Sequence, residues 1–253
     1  MTTFFYRLYQ ILVVCPFFIL STFFTLLFTG VGCVLGLGRW FAFTPSKLWG
    51  WSLIRMLFLP VTVEGRENLK SGQSYVFVAN HQGSFDIFFL SGFLGREFKW
   101  MMKKSLQKIP LMGFAAKNAG FIFVDKSSRA AIAETMNNAR KRLQGGTSLM
   151  VFPEGSRTFC GKMGVFRRGA FQLADELGLP VVPITIDGCF DVLPRMKGFG
   201  FVNHHPLRLV IHAPIVPQSQ GPENVKATME ASYEAVMSGL PAHHQGFEKN
   251  PDQ

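Results

Sequence analysis

An uncharged apolar stretch near the amino terminus most constrains what this chain can fold into. No charged residue occurs between Arg7 and Arg39, and the segment 11–38 is 28 residues long. As one straight helix it would measure roughly 42 Å, whereas the hydrocarbon core of a bilayer is about 30 Å thick. A segment this apolar is too costly to leave in water. We therefore expect the chain to be anchored to a membrane, which is its first predicted partner.

Two forms of this anchor fit the sequence. Helix-weakening residues interrupt the stretch: Pro16 and the glycines at 30, 32, 36 and 38. Tryptophan and basic residues follow it, as is typical of a membrane interface, and the segment 48–59 is expected to lie along that interface. One form is a single tilted span with the rest of the chain on the cytoplasmic side, because more positive charge follows the stretch than precedes it. The other is a helical hairpin that dips into one leaflet.

Charge supports the same partner. The chain has 26 Lys and Arg against 16 Asp and Glu, a net charge of +10, with eleven basic and three acidic residues between positions 96 and 142. A chain that is both basic and apolar favours a phospholipid surface over nucleic acid. The spacing of the cysteines at 15, 33, 160 and 189 indicates neither a disulfide framework nor a structural zinc site. The spacing of the histidines at 204, 205 and 212 does not indicate a metal site either.

After Pro60, short β-branched or aromatic runs alternate with helical stretches, which predicts an α/β domain with a mostly parallel sheet flanked by helices. The predicted strands are 61–64, 75–79, 98–102, 120–124, 148–152, 182–186 and 207–212. The predicted helices are 85–93, 128–143, 169–177 and 223–240. We expect a membrane-anchoring region at 1–60, the α/β domain at 61–240, and a polar tail at 241–253 that is frayed from His243 onward.

Three predicted strands end in chemically rich loops. The strand 75–79 is followed by NHQGSFD, the strand 120–124 by DKSSR, and the strand 148–152 by PEGSRT. Carboxyl ends of parallel strands open onto one edge of a sheet, so these loops are expected to share a cleft.

His81 and Asp86 form the first candidate pair. Five residues along a helix separate two side chains by about 140°, so they meet only if His81 precedes the helix in a turn. Asn80 and Gly83 favour such a turn. An Asp bonded to one ring nitrogen makes the other nitrogen a better base. The alternative is a surface histidine with Asp86 as a helix-start carboxylate.

The loop Glu154–Thr158 is the second candidate, because a guanidinium such as that of Arg157 recognises phosphate and Gly155 lets a ligand approach the backbone. A solvated turn is the alternative. Arg167 and Arg168 precede a predicted helix and suit a phosphate site or a charged loop. No serine-nucleophile elbow, P-loop or dinucleotide fingerprint is present in the sequence.

Four segments in this order, NHQGSFD, GFIFVDK, FPEGSRT and LPVVPITI, resemble the glycerolipid acyltransferase family. The resemblance spans about residues 60–215 and is greatest to the bacterial 1-acylglycerol-3-phosphate acyltransferases. It implies that His81 is the general base and Asp86 its orienting partner. It assigns Glu154, Gly155 and Arg157 to acceptor and phosphate binding, and Pro183 to the acyl-donor site or to packing.

The same resemblance implies basic residues around the second motif, at Lys104, Lys126 and Arg129. The family usually ends this motif in Asp-Arg, whereas here it reads Asp125-Lys126. Lysine keeps the charge but loses the planar fork of arginine, so Arg129 is expected to share the phosphate with Lys126. Backbone amides near Gly83 or Gly155 are our candidate donors to the developing oxyanion.

The implied activity is acyl transfer from acyl-CoA or acyl-carrier protein to the sn-2 hydroxyl of lysophosphatidic acid, without a metal or a further cofactor. The implied location is the bacterial inner membrane, with the catalytic domain on the cytoplasmic side. Three alternatives remain open at this point. They are an acyltransferase for another lysophospholipid or a lyso-aminolipid, a non-catalytic membrane-binding protein of the same fold, and a membrane-tethered hydrolase.

Overall fold

The computed structural model describes residues 3–125, 127–143, 147–195 and 200–247, without the side chain of residue 129. Within these residues seven strands form one sheet, in the order β1-β7-β6-β2-β5-β3-β4. All neighbours run parallel except β6 and β7, which are antiparallel. The strands are β1 (Val61–Glu64), β2 (Val76–Ala79), β3 (Phe98–Lys103), β4 (Ile122–Val124), β5 (Ser148–Val151), β6 (Val181–Asp187) and β7 (Leu207–Ile211). The mostly parallel α/β class predicted from the sequence is confirmed.

The central strands are apolar on both faces because helices cover the sheet from both sides. Along β2, Val76 and Val78 belong to one buried cluster, while Phe77 and Ala79 belong to the other. Strand β5 is buried at every position. The apolar run VFVA of β2 is therefore continuous, without alternating polar residues. The carboxyl end of this buried strand fixes where the following loop begins at the edge of the sheet.

The helices of the domain agree with the predicted ones to within about two residues. They are α4 (Phe85–Phe93), α6 (Arg129–Arg142), α7 (Gly169–Leu177) and α9 (Pro222–Ser238). The sequence did not predict α5 (Met112–Asn118), α8 (Cys189–Val192) or the 3-10 turns at Arg66–Asn68 and Lys104–Lys108. These pieces span at most seven residues, too few to show a helical hydrophobic period.

The amino-terminal region folds as a helical hairpin. It consists of α1 (Thr3–Tyr9), a π-helical turn (Gln10–Val14), α2 (Cys15–Val34) and α3 (Arg39–Met56). The continuous helix Thr3–Val34 is long and apolar enough to cross a membrane. Gly36 and Gly38 adopt positive φ values of 68° and 80°, which a glycine accepts without strain and which reverse the chain between α2 and α3.

The long helix contacts the rest of the molecule along its length. The Tyr6 hydroxyl donates to the Leu57 carbonyl at 2.8 Å. The Gln10 amide exchanges two hydrogen bonds with the backbone of Val202, at 2.8 and 2.9 Å. Trp49 Nε1 donates to Thr22 Oγ1 at 3.0 Å. The opposite face is exposed and apolar, with residues such as Phe24 and Phe28 on the surface.

The prediction of a tail frayed from His243 is wrong for residues 243–247. His244 is only 3% exposed, and the Gln245 side chain donates to the Leu240 carbonyl at 2.8 Å. Phe247 forms an isolated parallel β-bridge with Met163. Polar composition suggested fraying, but these polar side chains find partners inside the domain. Residues 248–253 lie outside the described part of the chain.

Candidate active site

The loop after β2 is fastened to the neighbouring strand before it reaches His81. Asn80 is buried and bonds the backbone of Ile186 twice: its Nδ2 donates to the carbonyl at 2.8 Å, and its Oδ1 accepts from the amide at 2.7 Å. The Asn80 side-chain amide thus takes the place of the next pair of backbone hydrogen bonds to β6. The start of the NHQGSFD segment is therefore held against β6.

His81 and Asp86 meet in the geometry that a turn before α4 permits. His81 Nδ1 lies 2.7 Å from Asp86 Oδ2, and the Gly83 amide donates to the same oxygen at 2.9 Å. Asp86 is completely buried, while the His81 ring stacks on Phe152 with 3.9 Å between centroids. A carboxylate on Nδ1 favours the tautomer with hydrogen on that nitrogen, which leaves Nε2 as the proton-accepting atom.

Glu154 joins the two predicted loops. It is 3% exposed, and its Oε1 accepts from the His81 amide at 2.8 Å. Its Oε2 accepts from the Gly164 amide at 2.8 Å. The His81 carbonyl in turn accepts from the Thr158 amide at 2.9 Å. The backbone of the candidate base is thus held on both sides by the loop that follows β5.

Cationic groups lie around this junction. Arg157 Nη1 donates to Ser84 Oγ at 2.5 Å, so its guanidinium is beside the first turn of α4. Arg195 donates to the Arg157 carbonyl at 3.0 Å and lies 3.7 Å from the centroid of the Phe159 ring. Gly155 has a φ of +77°, and a Cβ there would lie 3.2 Å from Arg167. Arg195 is not part of any of the four sequence motifs and was not predicted.

The second-motif residues lie elsewhere on the same edge of the sheet. Lys104 Nζ lies 2.5 Å from Asp125 Oδ2. The hydrogen bond from Lys104 is the largest cause, and the bonds from Ser127 are the next largest, that lower the pKa of the Asp125 carboxyl to about 2. Both residues border a cavity of about 250 Å³ between β4 and α6. Lys126 and the Arg129 side chain, both predicted to bind phosphate, lie outside the described residues.

The amides of the two glycines near which we predict oxyanion donors form hydrogen bonds within their own turns. The Gly83 amide donates to Asp86, as described above, and the Gly155 amide donates to the Phe152 carbonyl at 3.0 Å. Each turn uses its own glycine amide to close itself, so an oxyanion donor near Gly83 or Gly155 stays a prediction and would have to come from a neighbouring amide.

A thiol lies against the buried carboxylate. Cys189 is completely buried beside Asp86, and burial, followed by the negative charge of Asp86, raises the pKa of this thiol well above its usual range. A thiol with so high a pKa is protonated at neutral pH and is not a nucleophile. Cys189 therefore packs behind the His81–Asp86 pair and is not an alternative reactive group.

Residues 60–187 match the model of the acyltransferase family. That region is half of the chain and holds both loops of the candidate site. The chain belongs to the acyltransferase family. The resemblance predicted from four sequence segments is thereby confirmed, and the family match ends at the carboxyl end of β6.

Two relatives of this chain are named as acyltransferases of 1-acyl-sn-glycerol 3-phosphate. A chloroplastic 1-acyl-sn-glycerol-3-phosphate acyltransferase of Arabidopsis thaliana is 35% identical over 67% of this chain and 47% of its own length. The enzyme of the same name from Pseudomonas aeruginosa is 35% identical over 49% of this chain and 48% of its own. The chain thus spans about half the length of these curated relatives.

A solved structure covers more of the molecule. The crystal structure of the 1-acyl-sn-glycerophosphate acyltransferase PlsC from Thermotoga maritima is similar with a TM-score of 0.73 at 25% identity. The similarity covers 92% of this chain and 97% of that protein. It therefore extends beyond the sheet and includes at least part of the amino-terminal hairpin.

Proposed function

We propose that this chain transfers a fatty acyl group from a thioester to the sn-2 hydroxyl of 1-acyl-sn-glycerol 3-phosphate, producing phosphatidic acid. The donor is acyl-CoA or acyl-carrier protein, and no cofactor is required beyond it. The observation that carries this proposal is the 2.7 Å contact between His81 Nδ1 and Asp86 in a buried turn. The names of the relatives support the choice of acceptor.

His81 acts as the general base in this proposal. Its Nε2 takes the proton of the acceptor hydroxyl while that oxygen attacks the thioester carbonyl, and the collapse of the adduct breaks the carbon–sulfur bond. The departing sulfur then receives the proton from the imidazolium. Asp86 stabilises the positive charge that His81 carries between these two transfers. Protons balance without a covalent enzyme intermediate.

The acceptor phosphate is bound by cations on the same edge of the sheet. We assign this role to Arg157 and Lys104, with Lys126 and Arg129 kept as predictions. Arg157 already touches the first turn of α4 through Ser84, so a phosphate on its remaining N–H groups would lie close to the base. Gly155 allows that approach because it has no side chain. We propose a positioning role for Glu154, since both of its oxygens accept backbone amides.

Replacing Arg157 with lysine is expected to raise the KM for lysophosphatidic acid about tenfold with a smaller change in kcat. Lysine keeps the charge but cannot bind phosphate with two parallel hydrogen bonds, and charge-assisted bonds of this kind are strong. Initial rates over a range of acceptor concentrations measure this effect. Arg140→Lys is the matched control, because Arg140 pairs with Glu176 on an exposed surface. An unchanged KM in Arg157→Lys would contradict the assignment.

We propose that residues 1–60 anchor the domain at 61–240 to the cytoplasmic face of a bacterial inner membrane. Of the two predicted anchors, the contacts support the hairpin. The long helix bonds Val202 of the domain through Gln10, packs Phe18 on the Phe88 ring at 5.8 Å between centroids, and at Gly30 passes so close to Phe114 that a Cβ there would lie 2.5 Å from its ring. A helix in contact with the domain at these three places runs along it and does not leave it to cross the bilayer. In the hairpin form, the exposed apolar face of α2 enters one leaflet and the lipid acceptor stays in the plane of the same membrane.

Phe24→Gln is expected to weaken binding to vesicles about fivefold, because Phe24 is 46% exposed on the apolar face and burial of such a ring in lipid contributes about 1 kcal/mol or more. Titration of the protein with vesicles of phosphatidylethanolamine and phosphatidylglycerol measures the partition coefficient. Val216→Gln is the control: Val216 is 57% exposed and follows Ile215, which bridges to Val181 at the start of β6. Equal loss in both variants would contradict the proposed face.

The activity is tested by release of free thiol from a long-chain acyl thioester by the full-length protein in detergent, with and without lysophosphatidic acid. Release that requires this acceptor, with formation of phosphatidic acid, supports the proposal. Release that requires another lysolipid would favour the alternative acceptor. Release without any acceptor would indicate the hydrolase, and no release with any acceptor would indicate the non-catalytic alternative.

A further inference from the structure

The segment 241–247, here named the closing segment, packs behind both loops of the candidate site. Its turn is closed by the His244 amide, which donates to the Pro241 carbonyl at 2.9 Å. The His244 side chain is buried, and Phe247 at the end of the segment bridges to Met163. The closing segment lies beyond the region matched by the family model, which ends at residue 187.

His244 contacts the residue next to the candidate base. The Phe190 amide donates to Gln82 Oε1 at 3.3 Å, which fixes the orientation of the Gln82 side-chain amide. Gln82 Nε2 then lies 3.3 Å from His244 Nδ1, and with Nε2 of Gln82 as the donor the ring nitrogen is the acceptor of this contact. Asp187 Oδ1 lies 3.4 Å from the same ring nitrogen. In the tautomer that lets Nδ1 accept from Gln82, the hydrogen is on Nε2, which lies 3.7 Å from Asp191 Oδ2.

His244 also limits the position of the second loop. A Cβ on Gly161 would lie 2.7 Å from Cδ2 of the His244 ring, so the loop after β5 passes directly against the imidazole. The Gly161 amide donates to Thr158 Oγ1 at 3.1 Å, and the Thr158 amide donates to the His81 carbonyl. The His244 ring therefore contacts Gln82 in the loop that contains His81 and Gly161 in the loop that follows β5.

Three anchors now define the position of the NHQGSFD turn. Asn80 bonds β6, the His81 amide bonds Glu154, and the Gln82 side chain bonds α8 and the closing segment. Loss of the third anchor leaves a buried amide without its acceptor and lets the turn shift. A displacement of about 1 Å in a reacting group is enough to cost up to a hundredfold in rate.

We propose that His244 is a positioning residue for acyl transfer: through Nδ1 it holds Gln82 and so fixes the turn that presents His81 to the substrate. This inference rests on the proposed function for its kinetic consequence, although the contact itself does not. It assigns a role in the site to a carboxyl-terminal segment that neither the four motifs nor the family match includes.

Two substitutions of equal polarity separate this role from simple packing. In His244→Asn the side-chain oxygen reaches the place of Nδ1 and still accepts from Gln82, whereas in His244→Gln the polar end reaches the place of Nε2 instead. We expect His244→Gln to lower kcat about tenfold with KM changed less than about threefold, and His244→Asn to retain kcat within about threefold of the parent. Thermal unfolding checks that both variants fold.

A double-mutant cycle with Gln82→Ala tests the contact directly. Because the two side chains act together, we expect Gln82→Ala to add little to the loss caused by His244→Gln. Hydrogen–deuterium exchange of the peptide covering 80–86 gives a readout that needs no activity, and it should be faster in His244→Gln but not in His244→Asn. If exchange follows this pattern while the parent protein transfers no acyl group, the proposed function fails and the positioning contact stands.

His243→Ala is the matched control, since His243 is the exposed neighbour of His244. Equal kcat values for the Asn and Gln variants, or fully additive losses with Gln82→Ala, would overturn the proposal.

The donor atoms of Asp191, His243 and His244 also lie within 4.8 Å of one another. Loss of activity on dialysis against EDTA together with an equal loss in His243→Ala would overturn it in favour of a divalent metal at this cluster.

Discussion

Replacing His81 with alanine is expected to lower kcat for acyl transfer about a thousandfold, within the range that a general base contributes. The reason is geometric. Asp86 takes Nδ1 at 2.7 Å, so Nε2 is the proton acceptor, and alanine leaves the acceptor hydroxyl with water as its base. The substitution removes no backbone contact, because the bonds to Glu154 and Thr158 are made by the His81 amide and carbonyl.

The measurement is lysophosphatidic acid-dependent thiol release by the purified variant, beside its thermal unfolding temperature. His204→Ala is the control, because His204 is an exposed histidine whose Nε2 lies 2.9 Å from the Phe58 carbonyl. We expect that control to keep the parent activity. A His81→Ala protein that folds and turns over at the parent rate would show that another group accepts the proton.

The strands and most helices were predictable because local patterns decide them. Val76–Ala79 and Ser148–Val151 are short apolar runs that end in turn residues, and such runs form buried parallel strands wherever helices cover both faces. The same reasoning located the loops at one edge of the sheet. Neither conclusion needed any contact between distant residues.

Partners across long distances in the chain were not predictable in this way. Gln10 is a single polar residue in an apolar helix, and nothing in the sequence indicates that the backbone of Val202 satisfies it inside a π-helical turn. The composition around His244 predicts a polar tail, whereas the structure buries its side chain in the domain. In each case a buried hydrogen bond replaces the hydration that composition alone would suggest.

The pairing of His81 with Asp86 lies between these cases. Spacing on a helix places the two side chains apart, so the prediction depended on a turn at Gly83. That turn is present, and its amide bonds the same carboxylate oxygen. The same kind of turn also uses the amides of Gly83 and Gly155, which the sequence alone would leave available as hydrogen-bond donors.

Glu154→Gln is expected to lower kcat about a hundredfold and the unfolding temperature by about 5 °C. Each Glu154 oxygen accepts a backbone amide, one from His81 and one from Gly164. Glutamine offers one acceptor and one donor, so one of these buried amides meets an N–H group and is left unsatisfied, at a cost of about 1–3 kcal/mol. In a domain of this size, a loss of 1 kcal/mol corresponds to about 2–4 °C.

The kinetic loss follows from the same bond. When the His81 amide loses its acceptor, the backbone of the base is held only by the Thr158 amide, the Asn80 clamp and Gln82, and the imidazole moves away from the acceptor hydroxyl. Positioning predicts that kcat and the unfolding temperature fall together while the KM for lysophosphatidic acid changes little. Direct contact between Glu154 and the acceptor predicts the reverse: a higher KM and an unchanged unfolding temperature.

Steady-state kinetics over a range of acceptor concentrations and a thermal melt of the same preparation decide between these two roles. Glu176→Gln is the control, because Glu176 is an exposed carboxylate paired with Arg140 and its loss should change neither quantity. Glu154 is named by the motif as a binding residue, yet its carboxylate is 3% exposed and lies between two backbone loops. We expect a group so placed to act on the substrate through His81, and a rise in KM alone would contradict that expectation.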